Sequence, residues 1–256
     1  MLIIFGALKV EISTLIKIMS ARCVDRKGSI TIYKGSINGK DVLLVETGMG
    51  KKNVQKAAKL IVENYLDDSS TVRRILVIGF CGATSRDLQI GDVVLYKSIK
   101  DLKPIDFSRT FTEAGINFYD FYDSVDIDYN ECIKDNYKLL KVNGGTVSKV
   151  IVDSELKKAI GVKFDVQAID TETYWIGKVI IENNLPFCCI RSVSDCVDEN
   201  IPDFFVNLFE KSILHNIFKL LSLVIKSPKK IFQITKTIRN VKKAKDNLTA
   251  TIRKII

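Results

Sequence analysis

Short apolar runs alternate with longer amphipathic stretches along most of this chain. Residues 2–7 are apolar and lead into a polar segment of helical character, which predicts a buried strand and then a helix from near Lys9. Residues 30–36 and 41–46 read as two strands around Asn38-Gly39, a pair suited to a two-residue hairpin turn. Thr47-Gly48-Met49-Gly50 predicts a glycine turn, with Asn53 as the cap of a helix running to about Tyr65. Residues 74–80 predict a fully buried strand entering a second glycine turn, Gly79-Phe80-Cys81-Gly82, and Gly91-Asp92 precedes another strand over 93–96. Residues 99–142 carry no clear period and predict an irregular excursion. Beyond it the pattern predicts strands at 146–152, 166–169 and 186–193 and helices at 153–160 and 171–183. A helix is predicted from Pro202 to about Ile225, with a break at Ser227-Pro228 and a second, basic helix after it. Strands alternating with helices specify an α/β layered fold.

Composition adds limits. With 256 residues, 46% of them hydrophobic, and a mean hydropathy of +0.11, the chain can bury one sizeable core. We therefore divide it into a body, residues 1–225, and an appendage, residues 226–256. The six cysteines show no CxxC pair, and Cys188 and Cys189 are adjacent inside an apolar run. They read as reduced, buried thiols, and with a single histidine, His215, no metal site and no cofactor are expected. The first residues lack a basic leader pattern, and no apolar stretch reaches the ~18 residues of a membrane span. A cytoplasmic location is the expectation. Residues 226–256 hold ten Lys/Arg and one acid, which accounts for the whole formal charge of +9. The body is balanced, so nucleic acid is not an expected partner.

Candidate chemistry lies in acids that follow apolar runs. Asp195 ends Pro186-Phe187-Cys188-Cys189-Ile190-Arg191-Ser192-Val193-Ser194-Asp195, Glu172 lies in Ala168-Ile169-Asp170-Thr171-Glu172, and Glu11 follows the first strand. Such positions fall at the carboxyl ends of strands, where open α/β sheets bind ligands. Alone, each acid would be an ordinary cap or surface group, and each glycine pair an ordinary turn.

Their order carries more. Ile4-Phe5-Gly6-Ala7-Leu8 with Glu11, Glu46-Thr47-Gly48-Met49-Gly50-Lys51, Gly79-Phe80-Cys81-Gly82-Ala83 with Gly91-Asp92-Val93-Val94, Asp170-Thr171-Glu172, and Arg191-Ser192-Val193-Ser194-Asp195 follow one another over roughly residues 1–210. In this order they resemble the nucleoside phosphorylase/nucleosidase family, of the methylthioadenosine/S-adenosylhomocysteine nucleosidase type. The resemblance implies a central mixed sheet partly closed as a barrel and flanked by helices, to which the tail adds a basic amphipathic helix. It implies an enzyme that cleaves an N-ribosidic bond. Asp195 would protonate or hydrogen-bond the leaving purine at N7, Glu172 would accept from the ribose hydroxyls, and Glu11 would activate water. Gly48, Met49, Gly79, Phe80, Cys81 and Gly82 would bring backbone to the ligand. Ile151 and Val152 would lie near the base, Thr171 under the sugar, Ser194 beside the acid and Phe205 in the pocket.

Three departures matter. Phe80 replaces a serine of the family pattern, Val77 stands where many phosphorylases carry a phosphate-binding arginine, and Thr171 replaces a methionine. The first two weaken a phosphate site and favour water as nucleophile. Tyr174 and Trp175 read as core, and His215 as structural.

In the tail, Ile231, Ile234, Ile238, Val241, Ala244, Leu248, Ile252 and Ile255 form one apolar stripe among lysines. It fits a helix–helix seam, a basic helix lying on an anionic membrane, or an unspecific nucleic-acid arm. The membrane reading is similar to a hopanoid-associated subgroup of the same family, which would release adenine from a lipid-linked nucleoside such as adenosylhopane and act peripherally on the membrane. Rival readings are a methylthioadenosine/S-adenosylhomocysteine nucleosidase on soluble substrates and an inactive nucleoside-binding module. A homo-oligomer is expected.

Overall fold

The computed structural model describes residues 1–66, 74–102, 123–126, 139–201 and 228–256. In chain order the elements are β1 (Leu2–Gly6), α1 (Lys9–Ile18), β2 (Arg22–Lys27), β3 (Ile30–Ile37), β4 (Lys40–Glu46), α2 (Lys51–Tyr65), β5 (Arg74–Ala83), β6 (Val93–Leu102), β7 (Asp123–Asp126), β8 (Leu140–Val147), α3 (Ser154–Phe164), β9 (Ala168–Asp170), α4 (Thr173–Glu182), β10 (Cys188–Asp195) and α5 (Pro228–Ile255).

One mixed sheet organises them, and β5 is its junction. β5 pairs in parallel with β1 and β10 and antiparallel with β9. β10 pairs with β6, β6 with β8 and β8 with β9, so β5, β10, β6, β8 and β9 close into a five-stranded barrel. From β5 the sheet runs outward through β1, β4 and β3 to the edge strand β2. The mixed, partly closed sheet of the sequence reading is what the chain forms.

Strand pleat sorts the core into two layers. Ile3, Phe5, Leu43, Val45, Ile75, Val77 and Cys189 face α2 and α4, among Ala57, Ile61, Tyr174 and Val179. Leu2, Ile4, Val42, Leu44, Leu76, Ile78 and Ile190 face the opposite way, among Ile12 and Leu15 of α1 and Leu248, Ile252 and Ile255 of α5. Both faces are covered, which is why β1 reads as an unbroken apolar run.

The described part of the tail stripe packs largely against the body. Ala244, Leu248, Ile252 and Ile255 are buried, Val241 is half-buried and Ile238 is exposed. Asn247 Nδ2 donates to Gly91 O (2.8 Å) and Asn38 Nδ2 to Arg253 O (3.3 Å), tying the helix at two further points. Fully burying one such apolar side chain contributes about 1.5–3 kcal/mol. The helix–helix seam of the sequence reading describes only the side that meets α1; the stripe packs mainly on the sheet, chiefly against β10.

Several sequence expectations change. Asn53 is not the cap of α2; Gly50 holds that position, and Asn53 Nδ2 donates back to Met49 O (2.9 Å). Gly79–Gly82 is not a turn but the last part of β5. Residues 148–152 are not a strand, because β8 ends at Val147 and the chain leaves the sheet there. β2 was hidden by its composition: it is a charged, mostly exposed edge strand, a form that discourages edge-to-edge pairing. Asn38 (φ 50) and Gly39 (φ 76) form the expected hairpin turn. The predicted helix from Pro202, with Phe205 and His215, lies outside the described residues.

Candidate active site

β1 ends at Gly6, and the next turn starts α1 with Glu11 facing inward, 4% exposed. Glu11 Oε2 accepts the amides of Ala7 (3.0 Å) and Leu8 (2.8 Å), and Oε1 accepts that of Phe80 (2.8 Å). Burial pushes its carboxyl above the usual range, while the Arg191 guanidinium and the three amides oppose the shift. Gly79 makes this approach possible. A Cβ there would stand 2.5 Å from Glu11 Oε1 and would collide with Arg191 Nη1.

Asp170 ends β9 and caps the turn into α4. Its Oδ1 accepts the amides of Glu172 (2.9 Å) and Thr173 (2.8 Å), and its Oδ2 accepts the Thr173 hydroxyl (2.6 Å). Arg191 from β10 lies behind this turn, fully buried, with Nε 3.6 Å from Asp170 Oδ2 and donating to Thr173 Oγ1 (3.1 Å). The turn presents Glu172, 5% exposed, whose Oε1 accepts the Thr171 hydroxyl (2.5 Å). Burial raises the Glu172 carboxyl to about 7; Arg191 pulls it down and Asp170 adds to the rise.

Asp195 closes β10. Its Oδ1 accepts from Ser194 Oγ (2.9 Å), and its Oδ2 lies 2.5 Å from Lys157 Nζ. Gly82 gives it room, since a Cβ there would stand 2.7 Å from Asp195 Oδ2.

These groups line one cavity of about 140 Å³ at the carboxyl ends of β1, β5, β8, β9 and β10. Glu11, Glu172 and Asp195 all face it, with Met49, Phe80, Cys81 and Gly82. Ile151, Thr171 and Ser194 line it as well. Three expected residues do not. Gly48 turns the chain after β4 with φ +75. Gly79 leaves the space that the Glu11 and Arg191 side chains occupy. Val152 is half-buried outside the lining, and its carbonyl accepts the amide of Ile201 (2.9 Å). Sequence reasoning missed the supports Arg191 and Lys157 and the wall that α5 supplies through Thr237, Asn240 and Val241. The signal for the wall was available, because Thr237, Val241, Ala244 and Leu248 continue one face at helical spacing.

Fold and site together define an α/β protein with a five-stranded barrel and an acid-lined ligand cavity at its strand ends. The chain belongs to the phosphorylase superfamily, whose family model matches residues 2–226. It is similar to a 5'-methylthioadenosine/S-adenosylhomocysteine nucleosidase of Listeria monocytogenes serotype 4b, 26% identical over 235 residues, covering 86% of this chain and 98% of the relative. Among solved structures, the nucleosidase of that name from Neisseria meningitidis in complex with methylthio-immucillin-A superposes with a TM-score of 0.69 at 20% identity, covering 99% of this chain and 97% of the other. Futalosine hydrolase of Helicobacter pylori superposes with a TM-score of 0.64 at 16% identity and the same coverage. At these identities the two superpositions speak for the fold alone.

Proposed function

We propose that this protein cleaves the N-ribosidic bond of a 5′-substituted adenosine, releasing adenine with water as the acceptor. The observation that carries the reading is the convergence of Asp195, Glu172 and Glu11 on one cavity. Departure of a purine leaves positive charge on the ribosyl ring, much as in glycoside hydrolysis. Asp195 supplies the proton, or a hydrogen bond, at N7 and accepts from the exocyclic amine. Glu172 accepts from the ribose hydroxyls and, when ionised, favours the positive ring. Glu11, raised by burial, takes a proton from the attacking water. The nucleosidase relatives support the same reaction class.

Water is favoured over phosphate because the Val77 side chain is fully buried in the core beside α2 and α4, so it contributes no cation to the cavity. An active site is favoured over a decayed one at Phe80 and Thr171. Phe80 serves Glu11 through its amide, which any residue but proline supplies, and the Thr171 hydroxyl holds Glu172. A soluble 5′ substituent is favoured over a lipid-linked one, since the described part of the apolar stripe is largely packed into the body.

The test is incubation with 5′-methylthioadenosine in phosphate-free and phosphate buffer. Adenine and the free sugar are expected in both. Formation of ribosyl 1-phosphate alone, only with phosphate, would overturn the choice of water; no adenine in either buffer would overturn the reading.

A further inference from the structure

Lys157 is the only buried lysine among the described residues, with no exposed surface. Its ammonium donates to Asp195 Oδ2 (2.5 Å), Cys196 O (3.2 Å) and Glu199 O (3.1 Å), which uses all three N–H groups. All three acceptors lie at the end of β10 or in the loop that follows it. Asp195 and Glu199 line the cavity, but Lys157 does not. It stands behind the carboxylate and cannot touch a bound ligand.

We infer that Lys157 is a positioning residue for protonation of the leaving base, acting wholly through Asp195. The inference rests on the hydrolytic reading above. A tie between α3 and the loop carbonyls needs donors but no charge. A buried ammonium needs a counter-charge, and Asp195 supplies the ion pair it makes. Anchored through Oδ2, the carboxyl group offers Oδ1, shared with Ser194 Oγ, to the base.

The ion-paired Asp195 first takes up one proton from solvent on Oδ1; in the bond-breaking step the C1′–N9 electron pair goes to the purine and that proton goes to N7. The sugar takes hydroxide from water, and Glu11 takes the remaining water proton. Asp195 is left as a carboxylate, and Lys157 already stands where that charge develops. A charge prearranged in a site shielded from solvent stabilises more than one that water must reorganise to meet.

A double-mutant cycle on kcat for adenine release tests this, because residues that act as a unit are not additive. Lys157→Met in the wild-type background is expected to lower kcat by roughly 10²-fold, within the range of a lost acid–base contribution. In the Asp195→Asn background the same change is expected to alter kcat by no more than a few-fold, since the function it serves is already gone. KM should move less than kcat. Lys157→Gln, which keeps a donor for the loop carbonyls without the charge, is carried through the same cycle in case the methionine variant does not fold. An equal loss in both backgrounds, or no loss in the wild type, would overturn the inference. Absence of adenine release by the wild-type protein would instead overturn the functional reading itself.

Discussion

Glu172 sits at the start of α4 with almost no solvent, and its carboxyl titrates near 7. Its proposed work on the ribose needs the ionised form, so kcat/KM is expected to fall as pH drops through about 7; a flat profile between pH 5 and 8 would count against the assignment. Stability moves the other way. The folded pKa lies above the ordinary carboxyl value of 4.5, so the folded state binds more protons than the unfolded chain between 4.5 and about 7. This contribution is fully present below 4.5 and is lost as pH rises through about 7. Its size is on the order of 3 kcal/mol, and Glu11, also raised by burial, pushes the same way. Glu172→Gln is therefore expected to lose kcat while gaining stability relative to wild type between pH 5 and pH 8. Urea midpoints of the two proteins at both pH values measure it, and a pH-independent difference would sink it. At this scale the three acids were legible because each follows an apolar run that must be a strand. Lys157 was not read, although Lys157, Ile160 and Phe164 share one helix face by spacing and all three are buried. A lysine on the inward face of an amphipathic helix carries that signal, but its partner becomes visible only when β10 is placed beside α3.

At the scale of elements, β5 shows why glycine patterns mislead. Gly79 and Gly82 look like turn residues, yet both lie inside a strand where side chains from α1 and β10 press against the backbone. Gly79→Ala is expected to lose activity and stability together, because the new methyl group would collide with Arg191 and Glu11. A variant with wild-type melting temperature and kcat would show that the packing there is looser than the geometry requires. The end of β8 misled in the same way. Residues 150–152 are apolar and look like strand, but Ile151 is buried in the cavity wall, not the sheet. For α5 the amphipathic pattern was clear, and only its occupant was open. Leu248 is 1% exposed, so Leu248→Ala is expected to cost about 2–5 kcal/mol in equilibrium unfolding. Removing residues 228–256 is expected to abolish cooperative unfolding, since Ile4, Ile12 and Ile190 would lose their cover. A truncated protein that melts like the full chain would show that α5 is separable from the body.

Across the whole molecule, alternation of strand and helix patterns was enough to give the α/β class, while β2 and β7 fell outside the pattern. Closure of the barrel was not written in that alternation. It depends on β5 meeting both β10 and β9, pairings between residues far apart in sequence, and the resemblance supplied it. The charge is arranged just as unevenly as the sequence suggested. Residues 226–256 carry all of the +9, and the buried stripe of α5 leaves Lys236, Lys242 and Lys243 exposed on the outer side of a balanced body. What this architecture achieves is the delivery of three acids from separate elements to one cavity. The rate of adenine release from 5′-methylthioadenosine by wild-type and Asp195→Asn proteins, in phosphate-free buffer, tests that most directly. Turnover by the wild type and a kcat lower by roughly 10²–10⁴-fold in the variant is the expected result. Adenine released by Asp195→Asn at the wild-type rate would contradict it.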